Sequence, residues 1–132
     1  MWGNAIPIFR VTDVAKSIEH YIHVLGFKLN WGGENGQVAS MSRGKCALFL
    51  CEGDQGHTGG WTWISAPDIE ALCEDLREKG AKIRHPPTNY FWALEMQVED
   101  SDGNVLRIGS DPRPGEPHGD WLEMDGKSWP TG

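Results

Sequence analysis

The tryptophans are the side chains with the most to say about chemistry: there are seven in 132 residues, and two of them stand at i and i+2 in Gly60-Trp61-Thr62-Trp63-Ile64-Ser65. On a β-strand that spacing turns Trp61 and Trp63 to one face. A wall of indole that is not plain core is a surface on which a flat organic molecule can stack. Trp31, Phe49 and Trp92 extend the candidate ligand-binding surface, and Glu95 and Arg107 are the charged residues beside it. Each also has a plainer reading. Trp63 and Phe49 can be core, Trp31 can cover a sheet edge, and Glu95 and Arg107 can pair across adjacent strands. Trp92, after Pro86-Pro87, is either a mobile lid or ordinary loop packing.

Other chemistry-bearing residues form weaker patterns. Cys46, Cys51 and Cys73 are odd in number and lack CxxC or Cys/His ligand spacing, so neither a disulfide framework nor a zinc knuckle is indicated, and buried thiols in a reducing cytosol are expected. His20 and His23 lie three apart on a predicted helix that packs outside the sheet, and His57, His85 and His118 fall in loops. Asp100 and Asp102 lack the oxygen-ligand spacing of an EF-hand and read as turn formers. No cofactor is expected. A formal net charge of −7 opposes binding to nucleic acid or anionic membrane and favours a cationic small molecule. Glu52, Asp54 and Glu95 are candidates for the acidic rim. The start, MWGNAIPIFRV, has no basic segment followed by an apolar one, and no apolar run approaches the roughly 18 residues of a membrane helix. A cytoplasmic protein with no membrane partner is the expectation.

The elements that position these residues form a repeat. Val14, Ile18, Tyr21, Ile22 and Leu25 recur at helical spacing over residues 13 to 25, with Thr12 or Asp13 as N-cap and Gly26 beyond the end. Ile69, Leu72, Cys73 and Leu76 repeat the stripe over 67 to 79, with Pro67 in the first turn and Gly80 beyond the end. Aligning Gly26 with Gly80 superposes Ile18 on Leu72, Ile22 on Leu76, Lys28 on Lys82 and Leu29 on Ile83. Strand-like runs precede each helix (5 to 11; 61 to 65), and three more follow each: 27 to 31, 37 to 42 and 46 to 51, then 81 to 84, 91 to 98 and 104 to 108. The spacing predicts an α+β chain of two βαβββ modules, about 4–52 and 60–109, in one domain over 1–109. A Pro/Gly-rich tail over 110–132 is either loosely held or pinned by Trp121 and Trp129.

Several of these segments resemble the vicinal oxygen chelate superfamily, which includes glyoxalase I, extradiol dioxygenases and bleomycin-resistance proteins. The carriers are Ile6-Pro7-Ile8, Val11-x-Asp13-Val14-Ala15, Val24-Leu25-Gly26-Phe27, Leu48-Phe49-Leu50 and Val98-x-Asp100-x-Asp102-Gly103-Asn104. The resemblance implies two curled mixed sheets around a cleft. In metal-dependent members four His or Glu side chains enter that cleft, and the matching positions here, to within about one residue, are Pro7, Phe49, Trp61 and Arg107. None of these can ligate a divalent cation.

The bleomycin-resistance branch is more similar. It lacks those ligands, begins with an apolar-Pro-apolar strand, carries a Trp-x-Trp pair before the second helix, and has a loop Trp three residues before a Glu, as Phe91-Trp92-Ala93-Leu94-Glu95 does. That likeness implies a strand-exchanged homodimer that sequesters a flat cationic antibiotic without catalysis. A metal-dependent glyoxalase- or dioxygenase-like enzyme, and a carrier for another aromatic natural product, are the alternatives.

Overall fold

Two aspartates open the two helices. Asp13 accepts a hydrogen bond from the Lys16 N–H at the start of α1 (Val14–His23), and Asp68 accepts one from Ala71 N–H at the start of α2 (Ile69–Glu78). Each satisfies a donor that the first turn leaves unpaired. Pro67 lies just before the second cap rather than inside the first turn. Gly26 and Gly80 follow the helices with φ of 76° and 84°, a left-handed conformation that is costly for a residue with a β-carbon.

The computed structural model describes residues 1–122 and 127–130. Its strands are β1 (Ile8–Arg10), β2 (Lys28–Gly32), β3 (Val38–Arg43), β4 (Cys46–Cys51), β5 (Trp61–Ser65), β6 (Lys82–Asn89), β7 (Leu94–Glu99), β8 (Val105–Ser110), β9 (Asp120–Leu122) and β10 (Ser128–Pro130). The first sheet has the order β1-β4-β3-β2 and the second β5-β8-β7-β6. In each, the leading outer strand is parallel to its neighbour and the other pairs are antiparallel. The chain is therefore an α+β fold of two βαβββ modules with two unclosed mixed sheets. No helix among the described residues is long and apolar enough to cross a membrane.

Two strands differ from the sequence expectation. The first is only three residues long. The other, β6, continues past Pro86 and Pro87 to Asn89, so β7 starts at Leu94 rather than near residue 91. As an outer strand whose register shifts on both sides of His85, β6 is the setting in which a missing N–H costs least. Phe91 and Trp92 consequently sit at the tip of a hairpin that the Tyr90 N–H closes on the Ala93 carbonyl at 2.8 Å.

Period-two alternation then divides each sheet into two faces. Phe9, Met41, Leu48 and Leu50 from the first sheet, and Met96, Val98, Leu106 and Ile108 from the second, share one core with Val14, Tyr21, Ile69 and Leu76 of the helices. Burying each such side chain contributes about 1.5–3 kcal/mol. The turn between β7 and β8 fastens the modules together. Asn104 donates from Nδ2 to the Arg10 carbonyl at 3.1 Å and accepts from the Gly60 N–H at 2.9 Å, while Thr12 donates to Asp102 from both N–H and hydroxyl. Asp100, a turn former, also accepts from Tyr21 Oη at 2.8 Å.

Candidate functional site: the helix-free faces of the two sheets

The residues that alternate with the core line the faces turned away from the helices. On the first sheet the register places Ile8 beside Phe49 and Phe49 beside Ser40, with Trp31 next to Ser40 on β2. Trp31 and Phe49 pack against each other, centroids 5.4 Å apart. Asn30 bridges Ser40 and Ser42 by side-chain hydrogen bonds of 3.3 and 3.1 Å. The residue that β1 presents here is Ile8 rather than Pro7. Pro7 instead lines a cavity of about 810 Å³ among Phe27, Cys46, Trp63, Ile64, Leu72 and Leu76. Of the aromatic residues, Trp63 also lines that cavity, whereas Trp31, Phe49, Trp61 and Trp92 do not.

On the second sheet Trp61 and Trp63 alternate with Ile64, which is partly buried against the core, so they share a face as the spacing predicts. Trp63 stands beside Arg107, which in turn faces Gln97, and Glu95 faces Gly109. Gly109 has a steric reason: a β-carbon there would lie 2.7 Å from Cζ2 of Trp63 and 3.2 Å from Cβ of Glu95. The missing side chain is what lets the Trp63 ring lie across β8. Trp31 is 52% exposed, Trp63 47% and Trp61 38%. Indoles so open on a sheet face are not part of the core.

Glu95 is the hub of this face. Its carboxylate accepts from Arg107 Nε at 2.9 Å and Nη2 at 3.0 Å, from Trp92 Nε1 at 2.5 Å, and from Trp63 Nε1 at 3.5 Å. Of the two readings of Glu95 and Arg107, the structure shows the ion pair. Glu95 is only 1% exposed, so it is no rim charge awaiting a cation. Glu52 is committed as well, accepting from the Val14 N–H at 2.9 Å. Trp92 is held rather than loose: it stacks on Tyr90 with centroids 4.6 Å apart and planes 4° from parallel.

Sequence reasoning missed four contributors. Arg84 lies over the Trp61 ring at 5.1 Å and donates to Gln97. Tyr90 carries Trp92, and burial is the main reason that its hydroxyl is held above the usual phenol range. Trp121, from the tail, lies over the Arg107 guanidinium at 4.8 Å and within 6.2 Å of Trp92. Asn89 fastens the tail, donating to the carbonyls of Arg113 and Glu116 and accepting from the Arg113 N–H. The tail is therefore pinned through Trp121, whereas the side chain of Trp129 lies outside the described residues. Arginine–indole contacts at both Trp61 and Trp121 were the available signal, but sequence alone does not bring residues so far apart together.

The donor set does not fit a metal. The four residues matching the family's ligand positions offer no lone-pair donor suited to a divalent cation, and Ile8, which replaces Pro7 on the face, adds none. Among the described residues no three His, Cys, Asp or Glu side chains converge on one point.

The Glyoxalase/Bleomycin resistance protein/Dioxygenase superfamily model matches residues 6–108. No curated protein matches the chain. Among solved structures, the chain is similar to TnmS3, an antibiotic binding protein from Streptomyces sp. CB03234, at 22% identity with a TM-score of 0.68, covering 84% of this chain and 98% of that one. It is also similar to the bleomycin-binding protein of Streptomyces verticillus in complex with copper(II)-bleomycin, at 21% identity with a TM-score of 0.69, covering 82% and 95%. A third likeness is TioX from Micromonospora sp. ML1, at 16% identity with a TM-score of 0.68, covering 82% and 99%. At these identities the likeness is one of fold, and it agrees with the family match: this chain belongs to the Glyoxalase/Bleomycin resistance protein/Dioxygenase superfamily.

Proposed function

We propose that this protein binds and sequesters a flat aromatic antibiotic of the bleomycin type, without turning it over, and so confers resistance in the cytoplasm. The observation that carries the reading is the furnishing of the helix-free faces: Trp31, Trp61 and Trp63 are exposed there, Trp61 at a position that the resemblance matches to a metal ligand, Trp31 against Phe49 and Trp63 beside Arg107. Trp31, Phe49, Trp61, Trp63 and Trp92 supply the stacking surface, and Glu95 and Arg107 hold its centre. Named antibiotic-binding relatives of the same fold support the assignment.

Sequestration works by mass action, so affinity replaces turnover. Removing apolar surface from water contributes about 25 cal/mol per Å², and stacking or cation–π contact on an indole adds roughly 0.5–2 kcal/mol each. Because Arg107 already neutralises Glu95, attraction of a cationic drug falls to the net charge of −7 rather than to one carboxylate. That is a long-range steering effect, and salt weakens it.

The active form in this reading is a homodimer. Trp31, Trp61 and Trp63 are exposed apolar side chains on one chain, and a second copy set against them would turn two open faces into two clefts. In this chain β1 pairs with its own β4; exchange of that strand between copies would re-form the same register in trans.

Calorimetric titration with copper(II)-bleomycin and metal-free bleomycin tests the proposal. Saturable binding at one drug per cleft supports it, and absence of heat and of any thermal shift at high micromolar drug refutes it. Elemental analysis of the purified protein tests the enzymatic alternative, since stoichiometric nickel, zinc, manganese or iron would favour that branch.

A further inference from the structure

The family match ends at residue 108, and the solved relatives are covered almost completely while 82–84% of this chain is used. The C-terminal segment thus lies beyond the family match, and it lies on the proposed ligand face. Its base is fastened firmly. Asn89 holds the backbone of Arg113 and Glu116 through its side chain, and its own carbonyl accepts from the Gly119 N–H at 2.9 Å. A β-carbon at Gly119 would lie 2.2 Å from Cγ2 of Thr88, so glycine is what allows the segment to approach β6. Its outer end is held differently. Among the described residues β9 pairs with β10, in a two-stranded sheet separate from the other two. What joins it to the ligand face is the Trp121 ring, over Arg107 at 4.8 Å and near Tyr90 and Trp92 at 6.1 and 6.2 Å, with a long Tyr90 hydroxyl bond of 3.4 Å to the Asp120 carbonyl.

We infer that residues 111–122 form a gate in which Trp121 occupies, on the Arg107–Glu95 pair, the stacking place of a planar guest ring. The inference rests on the sequestration reading above. Indole, guanidinium and the Tyr90–Trp92 stack are in contact, which leaves no slot for a second ring between them. A guest that reaches Arg107 or Trp92 must lift Trp121 and replaces a cation–π and ring contact of the same kind that it breaks. A closed gate lowers the apparent affinity by the fraction of molecules that are open. Planar guests that recover the arginine contact are selected over guests that only bury aliphatic surface.

Calorimetry of the full-length chain against copper(II)-bleomycin and the planar anion pyrene-1-sulfonate, comparing wild type with Trp121→Ala and Gly119→Val, tests the gate. Both variants should bind at least one probe about tenfold more tightly, and Trp121→Phe should fall between. In wild type labelled with 5-fluorotryptophan, the Trp121 fluorine signal, assigned by its loss in Trp121→Phe, should move to an exposed shift at saturation. Equal or weaker binding by Trp121→Ala, or an unmoved Trp121 signal in a saturated complex, overturns the gate while leaving sequestration standing. If no probe binds any of the chains, sequestration falls and the gate falls with it.

Discussion

The carboxylate of Glu95 and the guanidinium of Arg107 meet as a fork across β7 and β8, Nε to Oε2 at 2.9 Å and Nη2 to Oε1 at 3.0 Å. Two parallel bonds between planar ions fix both side chains in one orientation. Since the indole N–H groups of Trp63 and Trp92 also end on Oε1, the aromatic surface is held in place by one buried anion.

Removing that anion should cost stability. Glu95→Gln keeps the shape but leaves Arg107 without its counter-charge, and in either orientation its amide N–H groups would face an N–H donor of Arg107. Breaking a buried pair in this way costs about 3–5 kcal/mol. Arg107 is partly exposed, so water screens it and about 2–3 kcal/mol is expected in urea unfolding. The double variant Glu95→Gln/Arg107→Gln should recover most of the loss. A single variant as stable as wild type would mean that the fork is ornamental.

Gly109 makes a second, steric prediction. Gly109→Ala forces the Trp63 ring off β8, and an added methyl in a filled site costs about 1–3 kcal/mol. Most of that penalty should vanish when the change is made in a Trp63→Ala background, because the ring it strikes is gone. A double-mutant cycle by thermal or urea unfolding measures the coupling, and an unchanged penalty would place the crowding at Glu95 or Ala93 instead.

Tyr21 predicts an alkaline limb in the stability profile. Burial, and then the Asp100 carboxylate, hold its hydroxyl well above the usual phenol range. The unfolded chain releases this proton near the ordinary phenol pKa of about 10 while the folded chain keeps it, so stability from this group is fully present below that pH and is lost as pH rises beyond it. Unfolding free energy measured from pH 8 to 11.5 should fall above pH 10 in wild type, and the fall should be shallower in Tyr21→Phe. Parallel curves would assign the loss to other groups.

How much of this could be read from the sequence depended on the range of the signal. The two βαβββ modules were legible because apolar period and glycine stops are local, and Gly26 and Gly80 do end the helices as the spacing predicts. The shared face of Trp61 and Trp63 was legible for the same reason. Strand ends were less so: Pro86-Pro87 reads as a break, and only the outer position of β6 makes it tolerable. Sequence reasoning places Glu95 at the rim because its burial depends on Trp63 and Arg107, which arrive from β5 and β8, besides the local Trp92. Trp121 over Arg107 belongs to the same class of long-range contact, and no local pattern announces it.

Trp31 offers the cleanest separation of binding from folding. Its ring is among the most exposed indoles of the described chain and packs on Phe49 rather than on the Glu95 hub. Truncating such a side chain is expected to change unfolding free energy by about 0.5 kcal/mol or less. If Trp31 anchors a stacked guest, the same change should weaken binding by about 1–4 kcal/mol. Trp92→Ala is the contrasting case, since it removes both a bond to Glu95 and the stack on Tyr90 and should lower stability as well as affinity. Titration of copper(II)-bleomycin into Trp31→Ala, with urea unfolding of the same preparation, measures both quantities. Normal stability with normal affinity would remove the first sheet from the site and confine the guest to the face built on Trp61 and Trp63.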